Sequence, residues 1–251
     1  MNQKIGIIKE STGGTPMRII SYRSSNDIDV EFLDNHHYVK RNTTMSNFNN
    51  GNIKNPYDLS VYGIGYIGDG NYLTSEKGII IPAYRCWQKI IERCYSEKTK
   101  DKYNAYHSIS TICEEWRNYQ VFAEWFEQNK YDVNERLHID KDILYPGNKV
   151  YSPYHCLLVP QRINMLFLNK QNKRNLPNGI KKEGNRYYAK YNSIELGSAN
   201  TIEEAYEIYA RYKKAEIIKV ANEYKEIISE KVYNALLNYE VRIENDKNYI
   251  Q

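Results

Sequence analysis

Asp140, His155 and Asn164 are the residues of this chain whose types and spacing could carry chemistry. A carboxylate and an amide can share a hard divalent cation, because Mg²⁺ takes oxygen ligands and keeps several waters. An imidazole beside them can take a proton from water. Such a set suits metal-assisted hydrolysis of a phosphodiester, the cation holding the scissile phosphate and stabilising the leaving oxyanion. His138 and Asp142 stand beside Asp140 in the run Leu137-His138-Ile139-Asp140-Lys141-Asp142-Ile143-Leu144. Read as a strand, that run sets Asp140 and Asp142 on one face. The plainer alternative leaves both carboxylates in solvent on an edge strand.

The elements that must bring these groups together read as strand, turn, strand and short helix. Leu137, Ile139, Ile143 and Leu144 make a β-prone run, Pro146-Gly147-Asn148 signals a turn, and Leu157-Leu158-Val159 is a second buried run. Pro160 suits the start of a helix that carries Asn164 one turn on. This order lets Asp140, His155 and Asn164 converge, and the stretch resembles the ββα-metal (HNH) nuclease core. In that family a pair of polar residues ends the first strand, its His acting as base. A mid-loop Asn pins the turn, and a His or Asn on the helix completes the metal site. Two registers lay this pattern on the chain. In one, Leu137-His138 takes the place of the pair, making His138 the base and leaving Leu137 where a ligand belongs. In the other, Asp140-Lys141 takes it, with Asn148 in the loop, Asn164 on the helix and a Lys where the base belongs. The composite has Asp140 and Asn164 as ligands of Mg²⁺ (or Mn²⁺), with His138 or His155 as base.

A wider set of residues carries the resemblance further. Cys86-Trp87, Ile91, Arg93-Cys94-Tyr95, Cys113, Trp116, Phe122, Trp125, Asp140-Lys141-Asp142-Ile143-Leu144 and Tyr151-Ser152-Pro153, Cys156, Val159-Pro160 are similar to phage and prophage HNH-endonuclease-like proteins. That resemblance implies Asp140 and Asp142 as the functional pair.

Composition sets the frame. The chain has 251 residues, 41% of them hydrophobic, with 25 Tyr against 5 Phe and a net charge of +4. A sizeable core is affordable, and the mild basicity permits nucleic-acid binding without requiring it. Tyr rings can stack on bases or pack against Arg. No run of about 18 apolar residues and no leader-like N-terminus is present, so no membrane span is expected. Cys86, Cys94, Cys113 and Cys156 lack the C-x-x-C spacing of a zinc site, so no zinc is expected, and buried, reduced thiols of a cytoplasmic protein fit them better.

Four segments follow along the chain. Residues 1–56 read as a small β module, with strands at 18–22, 28–32 and 38–41. His36 and His37 sit in one of its turns and read as solvated. Residues 57–82, with Gly63, Gly65, Gly68, Gly70 and Gly78, read as a linker or hairpin, lacking the context of a nucleotide-binding loop. Residues 83–169 hold two amphipathic helices and the ββα unit. Trp87, Ile90, Ile91 and Cys94 share one face of the first helix. Trp116, Tyr119, Phe122, Ala123 and Phe126 form a stripe on the second.

Residues 170–251 open on a basic run, Lys170, Lys173, Arg174, Lys181, Lys182, Arg186 and Lys190, with a single Glu183 among them. Three short antiparallel strands at 179–182, 187–191 and 194–198 are followed by Thr201, an N-cap with Glu204 three residues on. Gly179-Ile180-Lys181, Tyr187-Tyr188-Ala189-Lys190-Tyr191, Leu196-Gly197 and Thr201-Ile202-Glu203-Glu204-Ala205 resemble the APETALA/ERF-type DNA-binding domain. The resemblance implies a sheet lying in the major groove, read out by Lys181, Lys182, Arg186, Tyr188 and Lys190, with Arg174 of the basic run as a further expected DNA contact. From Tyr206 to Val241 one long helical pattern suits packing on the core or on a partner helix, leaving a homodimer open.

The expected fold is α+β, with an N-terminal β module, a helical centre holding the ββα unit, and a C-terminal three-stranded sheet with a long helix. The expected function is that of a phage or mobile-element endonuclease of the HNH type acting on double-stranded DNA in the bacterial host cytoplasm. The alternative is a catalytically decayed relative that binds DNA or obstructs a host defence nuclease such as a CRISPR ribonucleoprotein.

Overall fold

Alternating apolar and polar residues build the first sheet. β1 (Ile8–Glu10), β2 (Pro16–Ser24), β3 (Asp27–Phe32) and β4 (Val39–Thr43) pair antiparallel in sequence order. Met17, Ile19, Ile28, Val30 and Phe32 bury together, with Phe48 of the short helix α1 (Met45–Asn49) and Ile53 in the same core. At the β2–β3 hairpin Arg23 bonds both Asp27 and Asp29, each at 2.7 Å. That guanidinium, with the Asn42 backbone N–H, holds the Asp29 carboxyl down at about 2. Residues 3–102 and 109–249 are described by the computed structural model. The chain separates into two units, residues 1–108 with 112–124 and residues 109–111 with 125–251. The division cuts the 83–169 segment after Glu124.

The glycine-rich segment of the first unit does contain a small hairpin, β5 (Ser75–Glu76) with β6 (Ile79–Ile80). Ahead of it, however, the chain is tightly held and is no flexible linker. A Cβ at Gly65 would lie 2.6 Å from Ile91 Cδ1 and 2.7 Å from Trp87 Cζ2, so only glycine lets the backbone pass there. The Tyr72 backbone N–H donates to Gln120 Oε1 (2.9 Å), Gln120 Nε2 donates back to Tyr72 O (3.1 Å), and the Tyr119 hydroxyl donates to Leu73 O (2.8 Å). These contacts tie the loop to α2 (Pro82–Tyr95) and the start of α3 (Tyr119–Asn129). Pro82 opens α2, where a missing N–H costs nothing. Trp87, Ile90, Ile91 and Cys94 are buried on its inner face, and Trp116, Tyr119, Phe122 and Ala123 further along the chain are buried as well. The Trp87 indole N–H donates to Trp116 O at 2.6 Å. His36, expected in solvent, is exposed yet stacks on Tyr57 at 3.9 Å between ring centres.

The short β7 (Thr111–Ile112) begins on Thr111, a residue of the second unit. The second unit holds β8 (Leu137–Asp140), β9 (Val150–Tyr151), β10 (Leu157–Pro160) and α4 (Gln161–Leu166), the strand, loop, strand and short helix that the residue types require. It continues through β11 (Ile180–Glu183), β12 (Arg186–Tyr191) and β13 (Ile194–Ala199), an antiparallel sheet in that order, to α5 (Ile202–Glu223) and α6 (Glu230–Asn238). Thr201 caps α5 in a reciprocal box with Glu204. Ala205, Tyr206 and Tyr209 of α5 bury against Ile180 and Ala189 of the sheet. The next stretch of the same helix, Ile217, Val220 and Ala221, buries against Leu157, Val159 and Ile163 of the ββα unit, with Val232 and Leu236 of α6. One helix thus serves two cores.

The single helical pattern expected from Tyr206 to Val241 is two helices. α5 ends at Glu223, capped by Tyr224, and Ser229 restarts the helix by accepting from Val232 N (3.3 Å). Apolar spacing does not reveal the break, because Ile228 in the turn buries in the same core as the helices on either side.

Candidate functional site

The β8–β10 ladder sets Asp140 opposite Leu157, and His138 opposite Val159. Directly opposed residues share a face of a sheet. Carboxylate and imidazole therefore emerge on the face carrying Leu157 and Val159, both in the core that α4, α5 and α6 close. Asp140 Oδ1 accepts from the backbone N–H groups of Asp142 and Ile143, both at 2.8 Å. This turn ends the strand at Asp140, so Asp142 lies in the bend beyond it. The strand alternation expected to set Asp140 and Asp142 on one face does not apply. Burial pushes the Asp140 carboxyl up to about 6, outweighing the two N–H bonds that favour its charged form. The Tyr239 phenol is raised to about 12, by burial first and then by the charges of Asp140 and Asp142.

Around this turn each remaining candidate is engaged locally. Lys141 is buried, and its ammonium donates to both carboxylate oxygens of Asp142 (2.9 and 3.0 Å) and to Asn148 O. Asn148 pins the loop, donating to Lys141 O (3.1 Å) and Val150 O (2.8 Å) and accepting from Val150 N (3.1 Å). The His155 ring meets Ser152 Oγ through Nδ1 at 2.7 Å and the edge of Tyr145 at 5.4 Å. Asn164 is half-buried one turn into α4. Among the described residues no hydrogen bond joins Asp140, His155 and Asn164, and no group of three His, Cys, Asp or Glu side chains is placed to hold a metal ion.

A cation that holds a phosphate needs an open, hydrated approach and an ionised carboxylate. Asp140 is instead half-buried on the face it shares with Leu157, its Oδ1 serves the turn, and desolvation disfavours its charge. This environment does not suit Mg²⁺ or Mn²⁺.

The C-terminal sheet presents a different surface. α5 covers the face bearing Ile180 and Ala189. Alternation puts Lys181, Arg186, Tyr188 and Lys190 on the opposite, helix-free face, where Lys181 stands across from Tyr188. Lys182 is the exception among the expected readers. It stands opposite Tyr187, a residue packed toward α5, and its ammonium lies 5.4 Å from that ring. A one-residue offset in a strand reverses the face, which a cluster of Lys in sequence does not show. On the open face Lys181 pairs with Glu183 (2.5 Å) and Lys190 with Glu195 (3.4 Å). Exposed pairs of this kind are weak and readily exchanged for a phosphate. Arg186 is exposed and forms no ion pair among the described residues. Arg174 is exposed in the loop before β11.

Sequence reasoning missed Lys141 as an internal clamp and Tyr239 as a cover over the turn. The first carried a signal, since a Lys between two Asp in a buried hairpin needs a partner. The second had none, being remote in sequence. No protein-family model matches the chain, and no significant match to a curated protein or a solved structure is found.

Proposed function

We propose that the protein binds duplex DNA through the helix-free face of its C-terminal sheet, and that the ββα hairpin is a scaffold without cleaving activity. One observation carries the reading: strand register gathers Lys181, Arg186, Tyr188 and Lys190 on the face of that sheet that no helix among the described residues covers. A three-stranded sheet of this width can enter a major groove, its cations meeting phosphates and base edges and its Tyr offering a ring. The scaffold half of the proposal is supported by the apolar surroundings of Asp140 and by the use of Asp142 and Asn148 to hold the loop.

The test pairs two assays on the full chain. Supercoiled plasmid with Mg²⁺ or Mn²⁺ is expected to remain supercoiled. A labelled duplex is expected to shift in a salt-dependent way, and Arg186→Ala with Lys190→Ala to weaken the shift and lower the salt slope by about 2. Metal-dependent nicking lost in both Asp140→Ala and Asn164→Ala would restore the nuclease reading. Duplex affinity indifferent to Arg186 would remove the sheet from the interface.

A further inference from the structure

Between the ββα unit and the sheet the chain makes an exposed loop carrying Lys170, Lys173 and Arg174. Among the described residues none of the three forms an ion pair. Such a loop would ordinarily sample many conformations. Here the C-terminal tail holds it from both ends. Asp246 Oδ2 accepts from the backbone N–H and the side-chain amide of Asn178 (2.9 and 3.0 Å), after the loop. Asp246 Oδ1 accepts from Asn248 N and Nδ2 (2.9 and 3.0 Å). Asn248 in turn donates to Lys170 O (3.0 Å) and accepts from Asn172 N (2.7 Å), before and inside the loop. Asn169 Nδ2 adds a bond to Asn245 O (2.7 Å). Asp246 and Asn248 are both buried, and these four bonds to the Asp246 carboxylate come from uncharged N–H groups.

The clasp fixes backbone and leaves the cations in solvent. The loop leaves the sheet at its Lys190 end, where the Lys190 N–H donates to Gly179 O at 2.7 Å. We infer that residues 170–175 form a second contact surface for the duplex backbone, kept in its binding shape by Asp246 as a positioning residue. The inference rests on the sheet being the primary DNA-binding face. Its physical content is preorganisation: a loop already ordered loses little entropy when its cations meet phosphates. Carboxylate acceptors suit the task, since charge-assisted bonds are stronger than neutral ones.

A mutant cycle on the full chain tests it, reading the dependence of duplex affinity on NaCl with a short labelled DNA. Lys173→Ala with Arg174→Ala is expected to lower the log–log salt slope by about 2. Asp246→Ala is expected to lower it as well, and the triple variant to fall no further than the larger of the two separate defects: the loop cations count only while the clasp holds. Full additivity, or an Asp246→Ala slope equal to that of the parent, overturns the inference. If Asp246→Ala loses its helical circular dichroism, Asn248→Ala takes its place, with a reduced slope in support and an unchanged one against. Binding that depends on Arg186 but not on Lys173 and Arg174 overturns the loop surface alone. No duplex binding by the parent chain overturns the sheet reading and this one together.

Discussion

Asp140 stands directly across the β8–β10 ladder from Leu157, and Leu157 is buried in the core that α5 and α6 complete. A carboxyl that would have to face a hydrated phosphate in a metal hydrolase is here paired with an apolar residue on an inward face. It caps the following turn through two backbone N–H bonds of 2.8 Å.

Asp140→Asn should therefore stabilise the protein at neutral pH. The folded carboxyl titrates near 6, above its ordinary 3.8, so the fold favours the protonated form. The penalty for holding it ionised is absent below pH 4, grows between 4 and 6, and is complete above 6. An amide oxygen keeps the acceptor without the charge, for an expected gain of about 1–3 kcal/mol at pH 7.5 and little at pH 4. Urea unfolding of both proteins at the two pH values reads the difference. A variant less stable than the parent at pH 7.5 would show that the charge itself is wanted.

Lys182 and Arg186 should separate the two faces of the sheet. Arg186→Ala is expected to reduce the salt slope of duplex binding by about 1. Lys182→Ala, whose ammonium lies over Tyr187 on the side toward α5, should leave the slope where it was. Equal losses from both would mean that DNA does not distinguish the faces, contrary to the register.

Gly179 should not tolerate a side chain. Its φ is +84°, and an added Cβ would lie 2.3 Å from the Tyr209 ring that packs the sheet onto α5. Gly179→Ala is expected to cost about 1–3 kcal/mol through backbone strain and the displaced ring. Thermal unfolding would register this as a lowered midpoint, and an unchanged midpoint would mean the ring moves aside freely.

In the first unit, Gly65→Ala should destabilise for a purely steric reason, with Trp87 and Ile91 both under 3 Å from the added carbon. Intrinsic tryptophan fluorescence is a suitable probe, because Trp87 is fully buried and would be displaced. Unchanged emission and stability would imply that the segment before the β5–β6 hairpin is loosely held after all.

The amino-acid sequence by itself determined most of the elements, though not the break between α5 and α6. Alternation at Met17, Ile19, Ile28 and Val30 is enough to write the first sheet, and Trp87, Ile90, Ile91 and Cys94 to write α2, because local periodicity reports which face will be buried. Thr201 and Glu204 announce the start of α5 for the same local reason. What only the tertiary structure decided is what each functional candidate faces. Asp140 reads as a ligand or as a solvent residue, and the turn cap it became was decided with residues from 217 to 239 closing over its hairpin. Lys182 and Lys181 look alike in the chain, and a register fixed by the pairing with β12 sent them to opposite faces. The grip of Asp246 on a loop some seventy positions earlier belongs to the same class. Contacts between segments remote in sequence leave no periodic trace, so the environment that sets a side chain's chemistry is written only in the folded chain.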